Sequence, residues 1–294
     1  MPSLKEVRNR IDSVQSTQQI TNAMKMVAAS KLRRAQDAIL RLRPYAGKLN
    51  EIIANISQTL ETATDNPYGV REEPSKRVLI VAISSNKGLC GAFNANVIKQ
   101  VSHLAHGTFK NELSTGKLDI ICIGKKGWEA LQRKDLPVIE EYNDLFTKLT
   151  YARVEKLCNQ ILDDYLEGTW GRVIIVYNQF KNAAVQHVTA EDFLPVQGSL
   201  QQEGNPFGVE YLYEPARETI LRDLIPTSLR IQFFKTILDS FASEHGARMT
   251  AMHKATDNAG EMLKELRLTY NKARQASITR EIIEIVSGAE ALKG

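Results

Sequence analysis

The residues with the clearest chemical potential follow two short apolar runs in the middle of the sequence. Ser84–Phe93 (SSNKGLCGAF) comes directly after the run Val78–Ile83 and carries a lysine and two glycines. Backbone amides of a glycine-rich turn before a helix can bind phosphate. Neither this stretch nor Gly124–Gly127 (GKKG) matches GxGxxG or GxxxxGK[ST], the patterns of dinucleotide and P-loop sites. We therefore interpret both as ordinary strand-to-helix turns with solvated lysines, and we predict no cofactor-binding residue.

Cysteine and histidine, which often serve in metal binding and nucleophilic catalysis, form no recognisable constellation. Cys90, Cys122 and Cys158 make no CxxC pair, and the five histidines show neither HxxxH nor HExxH spacing. The sequence also has no GxSxG nucleophile elbow. It thus predicts no catalytic residue and no metal ligand. An enzyme that binds a nucleotide at a central sheet remains the alternative from another functional class.

The first sixty residues carry the pattern of a coiled-coil helix. Fourteen of seventeen positions spaced by alternating threes and fours are apolar, from Leu4 to Leu60. The three exceptions are consecutive: Gln18, Thr21 and Lys25. Either the helix changes register there, using the shifted stripe of Ile20, Met24 and Val27, or this stretch faces something other than its coiled-coil partner.

The C-terminal segment carries a second, weaker seam. Between Leu221 and Ala273 the seam is mostly apolar, but it is interrupted by Ser228, Lys235, His245 and Thr256. Past Ala273 the register slips by one residue, and a new stripe begins. It consists of Ile278, Ile282, Ile285, Ala289 and Leu292, flanked by Ile283 and Val286. We expect this end to extend beyond an antiparallel N-terminal helix and to be covered by another protein, because so apolar a surface would otherwise promote aggregation.

The middle of the chain alternates between strand and helix patterns. Strands are predicted at Val78–Ser84, Leu118–Gly124 and Arg172–Tyr177, with helices at about 92–106, 126–134 and 149–167 and an extended segment at Ala184–Val188. Such alternation favours a small, mostly parallel, doubly wound sheet. The predicted fold class is therefore α/β. Its domains are an N-terminal coiled-coil helix (1–60), a central Rossmann-like domain (77–196) and a C-terminal coiled-coil helix (217–294).

Charge is concentrated at the two ends of the chain. The formal net charge is +4, while residues 1–43 alone hold nine Lys and Arg against three Asp and Glu. This surplus suits an acidic protein surface, nucleic acid or anionic lipid about equally. The longest purely apolar run has six residues, against roughly 20 needed to span a bilayer. The N-terminus enters a helical pattern without a signal or transit sequence, so we expect a cytoplasm-like compartment.

Several motifs together are similar to the gamma-subunit family of rotary proton-translocating ATP synthases, of the bacterial type. The resemblance covers the whole chain. The motifs are Ile11–Gln15, Thr17–Lys31, Arg43–Tyr45, Asn86–Gly91, Ser243–Met249, Ala255–Ala259 and Tyr270–Ile282.

The resemblance implies a rotary role without catalysis. In the family, an antiparallel coiled coil enters a ring of three alpha and three beta subunits, and the Rossmann-like domain binds no nucleotide. The foot sits on the membrane c-ring with epsilon. We therefore expect one copy of this chain per complex, no cofactor, no nucleic acid, and a peripheral location at the cytoplasmic face of a bacterial membrane. Proton flow through the c-ring would be coupled to ATP synthesis or hydrolysis on the beta subunits.

The resemblance also implies partner contacts for individual residues. Met24, Lys25, Lys87 and Cys90 match positions that face the beta lever region. Positions that bond to beta loops are matched by Arg248, Gln275, Thr279 and Glu281, with Arg248 and Gln275 as the best-matched pair. Tyr211 and Tyr213 resemble the foot that meets the c-ring or epsilon.

A third functional class is a basic coiled-coil protein that binds nucleic acid. The basic ends are compatible with it, but the sequence has no recognition motif and no interleaved basic and aromatic pattern. Steep loss of DNA affinity with salt would be its signature.

Overall fold

The longest elements lie at the two ends of the chain. The computed structural model describes residues 3–58, 67–70, 75–146, 149–196 and 217–291. Helix α1 spans Leu4–Gln58 and helix α6 spans Arg217–Ala291; each contains a proline, Pro44 and Pro226 respectively. Among the described residues, no helix combines the length and apolar character needed to cross a membrane.

Between these helices lie shorter strands and helices. The strands are β1 (Val78–Ile83), β2 (Leu118–Ile123), β3 (Val138–Glu141), β4 (Arg172–Phe180) and β5 (Gln186–Leu194). The helices are α2 (Phe93–His106), α3 (Lys110–Ser114), α4 (Lys125–Gln132) and α5 (Tyr151–Leu166), with a 3-10 turn at Asn143–Phe146.

The strands form one five-stranded sheet in the order β3-β2-β1-β4-β5. β1 pairs in parallel with β2 and with β4, β2 pairs in parallel with β3, and β5 closes the edge antiparallel to β4. Every residue of β1 and β2 is buried. β1 is entirely apolar and β2 is apolar except for Asp119, a pattern that is typical of parallel strands covered on both faces.

The two faces of the sheet support separate cores. One contains Leu79, Val81 and Ile83 of β1 with α5 and the segment 225–237 of α6. The other contains Ile80 and Ala82 with α2 and Leu131 of α4. The predicted α/β class with long terminal helices is confirmed.

The chain groups into two compact units. The first comprises Met1–Ala28 and Met249–Gly294, and the second comprises Ala29–Arg248. The sheet and both of its cores belong to the second unit, where Leu49 and Ile53 of α1 also pack against Ile231 of α6.

Three predicted strands occur where the apolar runs indicated them, within three residues at each end. Strand β3 was not predicted, because its alternation of half-buried and exposed residues is only four residues long. Helix α3 was not predicted either, and the extended segment predicted at Ala184–Val188 covers only the beginning of β5. The three-part domain division stays a prediction.

Candidate partner interface

In the first unit, the polar break of the N-terminal helix lies in the seam between the two helices. Thr256 Oγ1 donates a hydrogen bond to Thr21 Oγ1 at 2.8 Å, and Thr21 is buried. The side-chain nitrogen of Gln18 lies 3.0 Å from where a Cβ on Gly260 would be. Gln18 precedes Thr21 in α1, whereas its neighbour Gly260 follows Thr256 in α6. The two helices are therefore antiparallel in this unit. The seam therefore keeps its register through the break and buries paired hydroxyls.

The shifted apolar stripe does not form a second seam. Ile20, Met26 and Val27 are exposed, and Met24 and Lys25 are half-exposed. Of the two alternatives for this stretch, the register change does not occur, since Gln18 and Thr21 stay in the seam while Ile20, Met26 and Val27 face outward. Met24 and Lys25 belong to this outward-facing stretch of the first unit.

The C-terminal end of α6 is not covered by the described part of the chain. Residues 278–290 are all exposed, including Ile282, Ile285 and Val286. Gln275, Thr279 and Glu281 are exposed on the same segment. The predicted apolar end is confirmed as a surface that the described residues do not bury.

In the second unit, the loop from β1 to α2 has a tightly bonded base. The amide of Ser85 donates to Asn94 Oδ1 at 2.9 Å, and Ser85 Oγ donates to the carbonyl of Lys87 at 2.7 Å. Asn94 Nδ2 donates to Ser85 Oγ and to Cys90 Sγ at 2.8 and 3.3 Å. Asn94 thus holds both arms of the loop together.

Cys90 is part of that base. Its side chain is only 1% exposed. Burial raises the pKa of its thiol, although the Ser85 hydroxyl and the Arg248 charge oppose this effect. The thiol is therefore neutral and internal, and it does not reach a partner directly in this conformation.

Arg248 of α6 ties the helix to this loop. Its Nη2 donates to the carbonyl of Lys87 at 2.9 Å and to that of Gly88 at 3.4 Å. Its Nη1 donates to Glu244 Oε1 at 2.6 Å and to His245 Nδ1 at 3.3 Å. Both Arg248 and Glu244 are more than nine-tenths buried. The guanidinium fork thus bridges one turn of α6 and a loop 160 residues away in sequence.

The charges around Arg248 are buried as a compensated group. Burial raises the pKa of Glu244, while the Arg248 guanidinium opposes this effect. Burial, helped by the positive charges of Arg248 and Lys31, lowers the pKa of His245 to about 3. Because arginine can only donate, His245 Nδ1 accepts and the ring proton lies on Nε2. The His245 imidazole is therefore neutral at neutral pH, and Arg248 and Glu244 lie 2.6 Å apart as an ion pair.

The tip of the same loop is exposed and strained. Lys87 and Gly88 are exposed, and Leu89 is 64% exposed with φ +61. A residue with a Cβ pays roughly 1–2 kcal/mol in this left-handed region, which glycine and asparagine adopt more readily. Leu89 was not singled out from the sequence, because backbone strain has no local sequence signature at a leucine.

Backbone amides in the first turn of α4, within the stretch Gly124–Gly127, donate hydrogen bonds to oxygens of this chain. The amide of Gly127 donates to Ser84 Oγ at 2.8 Å, and that of Lys125 donates to Asn86 Oδ1 at 3.1 Å. A Cβ at Gly124, where φ is +107, would lie 2.3 Å from the carbonyl oxygen of Ser84. These amides are therefore not available to a phosphate in this conformation. The stretch that was interpreted as a turn is mostly helical, because Lys125–Gly127 already belong to α4 and only Gly124 precedes it.

The predicted site residues fall into three groups. Met24, Lys25, Gln275, Thr279 and Glu281 lie in the first unit, and Lys87, Cys90 and Arg248 meet in the second. Tyr211 and Tyr213 lie outside the described residues. In the part of the chain that the structure describes, no cluster of His, Cys, Asp and Glu could hold a metal ion.

Comparison with known proteins gives a consistent family. A protein-family model described as ATP synthase matches residues 3–292. A protein of Cytophaga hutchinsonii named ATP synthase gamma chain is 52% identical over 294 residues, covering 99% of both chains. The protein of the same name from Flavobacterium psychrophilum is also 52% identical, and the alignment covers 100% of both chains.

Solved structures show the same fold. A chain of the Euglena gracilis mitochondrial ATP synthase, in a structure of its OSCP, F1 and c-ring parts, aligns with a TM-score of 0.67 at 21% identity. The alignment covers 98% of this chain and 94% of the Euglena chain. A chain from the central stalk and c-ring of the Tetrahymena thermophila enzyme aligns with a TM-score of 0.56 at 24% identity, covering 80% and 99%. The chain therefore belongs to the family of ATP synthase gamma chains.

Proposed function

We propose that this chain couples proton flow through a membrane c-ring to ATP synthesis or hydrolysis by turning inside a ring of alpha and beta subunits. The observation that supports this proposal most directly is the exposed apolar surface at the C-terminal end of α6. Ile282, Ile283 and Ile285 are all more than half exposed there. Surface of this kind requires a cover, and a cavity along the axis of a subunit ring supplies one.

Rotation acts through differential contact. One asymmetric chain cannot touch three identical beta subunits in the same way, so it biases their conformational equilibria differently. Turning the chain moves each bias to the next subunit. A nearly complete switch between two conformations requires about 5.5 kcal/mol of differential binding. In this scheme the chain contributes no catalytic residue, and one copy serves the complex.

Charge supports an acidic partner around the N-terminal helix. Residues 1–43 hold nine basic and three acidic side chains. Lys25 is half-exposed in this segment, beside the exposed Ile20, Met26 and Val27. We propose that this stretch faces the beta subunits.

The remaining contacts are assigned by exposure. Gln275, Thr279 and Glu281 are exposed and suit direct bonds to beta loops, as does Lys87. Arg248 and Cys90 are buried and act from within the chain. We propose that Tyr211 and Tyr213 meet the c-ring or epsilon, with the complex at the cytoplasmic face of a bacterial membrane.

Reconstitution tests the proposal. The purified chain is mixed with cognate alpha and beta subunits, and co-elution is followed together with ATP hydrolysis. We expect one complex with a single copy of the chain and faster hydrolysis than alpha and beta alone. Absence of a complex would overturn the proposal.

A charge on the bare end tests its cover. Ile282→Asp should weaken assembly several-fold, because burying an unpaired charge is costly. Val70→Asp is the matched control, since Val70 is also an exposed apolar residue but lies in the second unit. Equal assembly of the two variants would show that the C-terminal end is not enclosed.

A further inference from the structure

Asp239 of α6 is buried in the second unit without a bonding partner. The residue is 8% exposed, and within the described part of the chain its carboxyl group forms neither a hydrogen bond nor an ion pair. The other buried carboxylates of the described residues are bonded, since Arg77 donates to Asp119 and Arg248 donates to Glu244, each at 2.6 Å. Burying a charge without a partner is costly. The surroundings of Asp239 therefore favour a carboxyl group that keeps its proton.

Charged and titratable groups from four elements surround this carboxyl group. Lys235 of α6 and Arg43 of α1 are exposed side chains whose positive charges reach Asp239 without forming an ion pair. Glu191 of β5 contributes a negative charge, and Tyr177 of β4 also lies within reach of the Asp239 charge. The two cations thus offset only part of the cost of an ionised Asp239.

Glu191 is bonded by neutral donors only. Tyr177 donates its hydroxyl to Glu191 Oε2 at 3.1 Å, and Gln232 Nε2 donates to Glu191 Oε1 at 2.8 Å. The structure therefore brings two carboxyl groups together without a paired cation, which favours a proton on the more deeply buried one. Burial raises the pKa of Asp239 to about 6, with help from Glu191 and against the charges of Lys235 and Arg43.

Helix α1 runs beside α6 at this level. Leu42 and Ala46 of α1 pack against the cluster that contains Ile231 of α6. Between them lies Pro44, which removes one helical hydrogen bond from α1. Because Arg43 is in this weakened stretch and its charge reaches Asp239, opening of α1 here would admit water to the carboxyl group.

We infer that Asp239 is a proton-operated latch between α6 and residues 40–46 of α1, which stay packed together while the carboxyl group is protonated and separate more often once it is ionised. Separation hydrates the carboxylate and so removes the cost of burying its charge. Acidification therefore tightens the chain at this point. The latch belongs to this chain alone and does not depend on the proposed function.

Hydrogen exchange of the full-length chain tests the latch. After correction for the intrinsic chemical rate, amides of residues 40–46 should exchange about tenfold faster at pH 7.5 than at pH 5, because opening returns the Asp239 pKa from about 6 to its ordinary value of 3.8. Helix α4, on the other face of the sheet, should keep the same protection at both pH values. Equal exchange of 40–46 at the two pH values would overturn the latch. Exchange there no faster than in β1 would also overturn it, because the opening would then be global.

A neutral side chain should fix the latch in its closed state. Asp239→Asn should exchange slowly at residues 40–46 at both pH values, since it has no charge to hydrate. Asp223→Asn, at an exposed position of the same helix, should keep the pH dependence of the unmodified chain. A pH dependence that survives in Asp239→Asn would show that another group titrates.

Changes to the neighbouring charges should move the midpoint of the pH dependence in opposite directions. Glu191→Gln removes a negative charge and should shift the midpoint to lower pH, whereas Arg43→Gln removes a positive charge and should shift it to higher pH. These opposite shifts would separate titration of Asp239 from a general loss of packing. Midpoints that stay in place, or that move in the same direction, would overturn the assignment to Asp239.

Discussion

Asp239 is a buried residue of α6, and the pKa of its carboxyl group is raised. Burial raises its pKa to about 6 from an ordinary value of 3.8, although Lys235 and Arg43 oppose this effect. The folded chain therefore binds this proton more tightly than the unfolded chain does. The resulting stabilisation is fully present below about pH 4 and is lost as the pH rises through about 6.

We predict that Asp239→Asn makes the second unit more stable at neutral pH. The free energy of unfolding should rise by on the order of 2 kcal/mol at pH 7.5 and change little at pH 4, because asparagine has no charge to bury. Urea denaturation at the two pH values measures this. Asp223→Asn on the exposed side of the same helix is the control, and an equal gain there would contradict burial as the cause.

Single residues were the hardest to interpret from the sequence. The motif around Arg248 pointed to function, but its partners Lys87 and Gly88 lie on a loop distant in sequence. No local pattern reports such a contact. The internal role of Cys90 was concealed for another reason, since its contacts with the nearby Ser85 and Asn94 depend on how the loop folds. The strain at Leu89 depends on a backbone angle that side-chain type does not reveal.

At the scale of elements, two glycines in the long helices have different surroundings: one lies on open surface and the other is closely packed. Around Gly47 of α1 nothing lies within 4 Å of where a Cβ would be. At Gly246 of α6 a Cβ would lie 3.2 Å from the Cα of Ala183, in the turn between β4 and β5. Only the second glycine is needed for two elements to approach.

Matched substitutions follow from this difference. Gly47→Ala should stabilise the chain by about 0.5–1 kcal/mol, since alanine loses less entropy in a helix. Gly246→Val should destabilise it by about 1–3 kcal/mol through overpacking against the turn. Thermal unfolding followed by circular dichroism measures both. A stabilising Gly246→Val would show that the turn is free to move away from α6.

Elements were predictable where one physical signal dominated. β1 is an uninterrupted apolar run and β2 is apolar except for Asp119, and burial on both faces of a parallel sheet produces that pattern. β3 is a short edge strand with alternating exposure, which gives little signal. Two alternatives stayed open for the seam at Thr21, because hydrophobic spacing cannot anticipate a hydroxyl pair such as the one that Thr21 forms with Thr256.

At the scale of the whole molecule, the spacing of apolar residues over long stretches predicted the architecture of the two ends of the chain. A seam of many heptads predicted the terminal helices, and the slip past Ala273 predicted the exposed end that the structure has. The partners could not be derived from this chain, because its described residues leave Ile282 exposed and Lys25 half-exposed and carry no record of what would meet them. Their assignment depends on the family.

The most direct test of the central claim is to observe rotation. A cysteine introduced at the exposed Thr108 can carry a bead, because Cys90, Cys122 and Cys158 are all buried and burial raises the pKa of Cys122 and Cys158 to about 12. Complexes with cognate alpha and beta subunits are fixed to a surface and supplied with ATP. The rotor account predicts continuous rotation of the bead in one direction. Complexes that hydrolyse ATP while the bead stays still would contradict it.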